Sequence, residues 1–68
     1  MKRFALLRIE DKNNKVIFDC NAKDLASAVK IFNASMTNAQ LNEEGYCTLS
    51  ATAALCVAEF FEPFHTIN

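Results

Sequence analysis

The stretch from Cys47 to Phe61 constrains the fold most, because its fifteen residues, CTLSATAALCVAEFF, include no basic residue and one acid. It overlaps a charge-free run over residues 45–58, which contains three Ser and Thr side chains. A membrane-spanning helix needs about 20 predominantly apolar residues, so this run is too short and too polar to be one. It must therefore be buried within a small domain or be covered by a partner.

The same stretch is predicted to form two elements. Residues 45–49, GYCTL, favour a short strand. Ser50 can then cap a helix that begins at Ala51 and ends at Phe61, since four alanines favour helix and Pro63 disfavours helical geometry at the residue before it. Because such a helix is apolar over most of its circumference, it needs cover on more than one side. We therefore predict a homodimer built on this helix.

The N-terminal third predicts a β-hairpin. Residues 3–10, RFALLRIE, and residues 15–20, KVIFDC, are rich in strand-forming residues and flank an Asn-containing turn. Symmetric pairing about that turn sets Leu7 opposite Phe18 and makes one face of the hairpin wholly apolar. The other face then mixes charge with three large apolar side chains, namely Phe4, Leu6 and Ile17.

A helix is predicted to follow the hairpin, over residues 22–35. Asn21 can cap it, and the Asp24 carboxylate suits the positive end of its first turn. Its apolar stripe, formed by Leu25, Val29, Phe32 and Met36, can lie across the apolar face of the hairpin. The whole chain, residues 1–68, is thus predicted to be one two-layer α+β domain of order β-β-α-β-α, with an antiparallel three-stranded sheet and two helices on one face.

Residue types that carry catalysis or bind metals are sparse. Cys20, Cys47 and Cys56 are odd in number and fit no disulfide framework. With the sole histidine, His65, they offer none of the close ligand pairs that zinc sites use, and no base adjoins a thiol. We therefore predict no catalytic residue, no metal, no cofactor and no enzymatic activity. Reduced thiols and an N-terminal apolar run too short for a signal peptide predict a cytoplasmic protein.

Charge is segregated along the chain. All seven Lys and Arg residues fall within residues 1–34 against four acids, a net +3, whereas residues 35–68 carry four Glu and no cation, a net −4. A basic flank of this kind can steer a partner's approach or meet nucleic acid. The basic residues of the hairpin are Arg3, Arg8, Lys12 and Lys15.

The function predicted from these features is a non-catalytic protein-binding module. It would act as a stoichiometric inhibitor or adaptor that occludes the surface of a larger partner, as small anti-defence or anti-CRISPR proteins of phages and mobile elements do. The alternative is a small nucleic-acid-binding or regulatory protein that uses the basic hairpin. The predicted partner-binding residues are Arg3, Phe4, Leu6, Arg8, Lys12, Lys15, Ile17, Phe61 and Phe64.

Overall fold

A computed structural model describes residues 1–60 and shows four strands and one helix within them. The elements are β1 (Lys2–Glu10), β2 (Asn13–Ala22), α1 (Leu25–Ala34), β3 (Tyr46–Thr48) and β4 (Ala53–Phe60). The strands form one antiparallel sheet in the order β2-β1-β4-β3, and α1 packs on one of its faces. The predicted three-stranded sheet with two helices is therefore wrong.

The predicted second helix, from Ala51 to Phe61, is a strand over the part that the structure describes. Ala53–Phe60 forms β4, which pairs with β1 from Glu10↔Ala53 to Arg3↔Phe60 and with β3 on its other side. Helix propensity is a weak preference, and burial between two strands overrides it here. The prediction of a homodimer was based on this helix, which the described residues do not form.

The hairpin is confirmed, but its register differs from the symmetric pairing. A tight turn pairs Glu10 with Asn13, and a β-bulge shifts the register between Leu6↔Phe18 and Leu7↔Val16. Ile17 is the extra residue of that bulge. The helix packs on the face of β1 that carries Phe4 and Leu6, which is opposite to the face predicted. The shifted register then places Phe18 on the same face as Leu6, and Val16 on the other face with Leu7.

Helix α1 begins at Leu25, three residues later than predicted. The strand β2 runs through Ala22, so Asn21 is in the sheet, and Asp24 is the N-cap instead. The Asp24 carboxylate accepts a 2.9 Å hydrogen bond from the Ser27 amide, and this bond lowers the pKa of Asp24 below its ordinary value. The apolar stripe is correct at its centre, where Val29 and Phe32 are buried.

The core lies between α1 and the sheet. Its members include residues from the helix, from both central strands and from the connection that follows α1, namely Phe4, Leu6, Val29, Phe32, Leu41 and Leu55. Leu41 reaches the core because Asn33 fixes the connection: the Asn33 side chain accepts from the Leu41 amide at 2.8 Å and donates to the Leu41 carbonyl at 3.2 Å. The connection over residues 35–45 is thus tied to the helix.

Candidate functional site

The most exposed apolar cluster in residues 1–60 lies on β2. Val16, Ile17 and Phe18 are consecutive, and their exposed fractions are 49%, 38% and 42%. We call these three residues the β2 edge patch. A run of three exposed large apolar residues costs solubility unless it serves binding, whereas single exposed apolar residues are ordinary. The β2 edge patch is therefore the first candidate for a binding surface.

The backbone beside this patch is open to pairing. Within residues 1–60 the strand β2 is at the edge of the sheet, with β1 as its one neighbouring strand. Among the backbone hydrogen bonds that loops and turns of residues 1–60 make, none involves a residue of β2. Outward amides and carbonyls of an edge strand can accept a further strand from another molecule.

Charge around the patch is basic toward the hairpin turn. Arg8 pairs across the sheet with Lys15, which sets two cations side by side. The Arg8 Nε lies 3.4 Å from a Glu10 carboxylate oxygen, while neither Lys12 nor Lys15 makes an ion pair within residues 1–60. The charges of these two lysines are therefore not neutralised within residues 1–60 and can attract an approaching partner.

At the other end of β2 the charges are already paired. The Arg3 guanidinium donates to the Asp19 carboxylate at 3.0 Å, and its centre lies 5.8 Å from the centroid of the Phe60 ring. Both members of the pair are about half exposed, so the bridge contributes little to stability. It neutralises the charges of Arg3 and Asp19, while Lys2, opposite Ala22 at the same end, makes no ion pair within residues 1–60.

The predicted binding residues fall into three groups. Arg3, Arg8, Lys12, Lys15 and Ile17 are exposed on the hairpin, as expected of binding residues. Phe4 and Leu6 are 3% and 0% exposed and pack in the core under α1, so they offer no surface to a partner, and their predicted exposure is wrong. The remaining two, Phe61 and Phe64, lie outside the described residues.

Two members of the patch, Val16 and Phe18, were not predicted as binding residues. The symmetric hairpin register placed both on the apolar face that packs against the helix. The structure leaves them exposed, because β2 is at the sheet edge and the bulge separates the two residues onto opposite faces, opposite Leu7 and Leu6 respectively. The sequence did not indicate this exposure, because exposed and buried apolar residues of a strand cannot be distinguished by residue type alone.

The thiols are dispersed and half-buried. Cys20, Cys47 and Cys56 are all free. Burial raises the pKa of the Cys20 thiol, and the neighbouring Asp19 carboxylate raises it further, which keeps this thiol protonated at neutral pH. In the described part of the chain no three His, Cys, Asp or Glu side chains come together as a metal would require. His65 lies outside that part.

Comparisons with known proteins give no assignment: no family model matches the chain, and neither the curated proteins nor the solved structures include a match. Within residues 1–60 no helix has the length and apolar character to span a membrane. The fold itself is a small α+β sheet with one helical layer, and a fold of this kind does not imply a function. The surfaces described above are therefore the basis for proposing a function.

Proposed function

We propose that this protein is a non-catalytic protein-binding module that pairs with an extended segment of a larger protein along the outer edge of β2. The observation that carries the proposal is the β2 edge patch, three consecutive exposed apolar residues on a strand whose outer edge is unpaired within residues 1–60. Main-chain hydrogen bonds would supply affinity, and pockets for alternate side chains of the patch would supply specificity.

Occlusion is the mechanism that such a surface supports. A chain of 68 residues that adds a strand to its partner covers part of the partner's surface one-to-one and needs no chemistry of its own. Lys12 and Lys15 beside the patch would speed encounter with a segment that has acidic residues near one end. An inhibitor or adaptor acting in the cytoplasm, such as an anti-defence protein of a phage or mobile element, fits this description and is part of the proposal.

Nucleic-acid binding is the weaker proposal on the same hairpin. Two of the four predicted basic contacts, Arg3 and Arg8, already face carboxylates, of Asp19 and Glu10 respectively. Phosphate recognition depends on cations that are free to replace counterions, so paired arginines contribute less to it. Lys12 and Lys15 alone make a small electrostatic footprint.

The test is affinity capture with matched variants. The tagged chain and its Phe18→Glu variant are incubated with lysate of the source organism, and captured proteins are quantified by mass spectrometry. Ile31→Glu is the control, since Ile31 is 42% exposed like Phe18 but lies on α1 and not on β2. Circular dichroism confirms that all three chains are folded.

The proposal predicts one protein captured in stoichiometric amount by the parent chain and by Ile31→Glu, with at least tenfold less captured by Phe18→Glu. A tenfold loss corresponds to about 1.4 kcal/mol, within the range for truncating an interface anchor. Equal capture by Phe18→Glu and the parent would show that the partner binds elsewhere. Capture of nucleic acid in place of protein would favour the second proposal.

A further inference from the structure

The sheet has a second apolar surface, on the side opposite α1. Because side chains alternate along each strand, the residues opposite the core share that face. We call this surface the open face, and its half-buried or exposed apolar members are Leu7, Ile9, Val16, Tyr46, Ala54, Cys56, Ala58 and Phe60. No element within residues 1–60 packs on it. Ala5 on this face is fully buried, and residues 1–60 leave its other apolar side chains partly or fully exposed, which makes the face a candidate interface.

The open face carries few charged side chains. Arg3 and Asp19 lie at one end and bond to each other at 3.0 Å, and Asp11 lines the other end beside Ile9. The remaining polar side chains that the register places there are uncharged, such as Asn14 and Thr48. Over most of the face a charged counter-surface would lose hydration without gaining an opposite charge. A neutral apolar counter-surface meets no such penalty.

The size of the face suits a small dimer. Three long strands and one short strand, about 4.8 Å apart and about 3.3 Å per residue, give a face of roughly 450 Å² in projection. Two such faces in contact would bury about 1,000 Å² in total, near the lower limit of specific interfaces. Small side chains at its centre, Ala54, Cys56 and Ala58, would let two sheets approach to the usual spacing of about 10 Å.

These properties favour an apolar surface with little charge as the partner of the open face. We propose that a second copy of this chain packs its own open face on it, with the two sheets related by a two-fold axis. A face-to-face contact of this kind is self-complementary, as two-fold interfaces require. It leaves the backbone edge of β2 accessible in both copies but covers Val16, which also belongs to the β2 edge patch. The proposal does not depend on the function proposed above.

The test combines sedimentation velocity with thiol labelling of the full chain. Sedimentation is measured over micromolar concentrations for the parent and for Tyr46→Glu, which places a charge at a position 45% exposed on the open face. Ile31→Glu on α1 is again the matched control. Labelling with iodoacetamide at the same concentrations, read by peptide mass spectrometry, compares Cys56 on the open face with Cys47, which lies on the α1 side.

We expect the parent and Ile31→Glu to reach twice the chain mass of 7.6 kDa as concentration rises, and Tyr46→Glu to stay a monomer. In the parent, the labelling rate of Cys56 should fall in proportion to the fraction of chains that remain monomeric. The labelling rate of Cys47 should not change. In Tyr46→Glu, which keeps Cys56, labelling of that thiol should be independent of concentration.

Three results would overturn the proposal. A parent that stays a monomer, with Cys56 protected at every concentration, would indicate that residues 61–68 of the same chain cover the face. A monomer with Cys56 reactive throughout would indicate a face open in solution. A dimer that survives Tyr46→Glu and Leu7→Glu but is lost in Phe18→Glu would indicate pairing through the edge of β2.

Discussion

Gly45 and Val57 are in direct backbone contact. The Val57 amide donates a 2.8 Å hydrogen bond to the Gly45 carbonyl, and a Cβ added to Gly45 would lie 3.0 Å from the Val57 Cβ. Gly45 also has a φ of +78°, a conformation that residues with a Cβ rarely adopt. This contact fixes the end of the connection from α1 against β4, and so positions β3 at the sheet edge.

Replacing Gly45 with alanine should destabilise the fold by about 2 kcal/mol, because the new methyl group meets strain at positive φ and a close contact together. The free energy of unfolding in urea measures this. Asp11→Ala is the comparison, since Asp11 has a φ of 55° in an exposed turn. Asp11→Ala should cost less than Gly45→Ala. Equal costs would mean that neither the positive φ nor the close approach to Val57 penalises the added methyl group, because Asp11 already carries a Cβ at positive φ.

Replacing Asn33 with alanine should cost about 1–3 kcal/mol, because the amide and carbonyl of the half-enclosed Leu41 backbone would both lose their partner. The free energy of unfolding in urea again measures this cost. Asn38→Ala in the same connection is the control, since Asn38 is exposed and makes no side-chain hydrogen bond within residues 1–60. If Asn33→Ala and Asn38→Ala have the same free energy of unfolding, Asn33 does not stabilise the connection.

The Asp24 cap should make stability depend on acid pH. The folded state lowers the pKa of Asp24 from its ordinary value of 3.8, so the cap stabilises fully above that value. Its contribution is lost as pH falls through the lower, folded-state pKa. Asp24→Asn keeps a capping oxygen but cannot ionise. The unfolding temperatures of the parent and of Asp24→Asn should therefore converge or cross as pH drops below 3.8. A pH-independent difference between the two chains would contradict this assignment.

The parent chain should not shift DNA or RNA in electrophoresis at moderate salt, because Arg3 and Arg8 are engaged by acids and the two lysines alone bind weakly. Weak retardation at low salt that disappears on adding salt is compatible with that expectation. Binding that persists at moderate salt and is abolished by replacing Arg8 and Lys15 with alanine would contradict an occlusion-only role and favour nucleic-acid recognition.

The parts of the fold that local sequence determines were predictable. The turn residues and flanking strand formers indicated the hairpin, and the spacing of Val29 and Phe32 indicated the buried side of α1. The class, α+β, follows from those two elements. The alanine-rich segment at Ala53–Phe60 was not predictable in the same way, because its conformation is decided by pairing with β1, about fifty residues earlier in the chain.

The candidate site was predictable only in part, for a related reason. The basic residues of the hairpin are exposed wherever the register lies, so Lys12 and Lys15 are where the sequence indicated. Phe4 is buried because α1 packs on its face of β1, and Phe18 on the same face is exposed because β2 is at the sheet edge. Neither the face that α1 covers nor a bulge leaves much trace in sequence. The apolar candidates for binding therefore needed the structure, whereas the charged candidates did not.

The central claim, that the outer edge of β2 receives a partner strand, is tested most directly by amide hydrogen exchange resolved by residue. The chain is measured alone and with its captured partner. The account predicts that outward-facing amides of Asn13–Ala22 exchange rapidly in the free chain and become protected in the complex, while the amides of α1 do not change. Unchanged exchange throughout β2, with new protection confined to other residues, would contradict it.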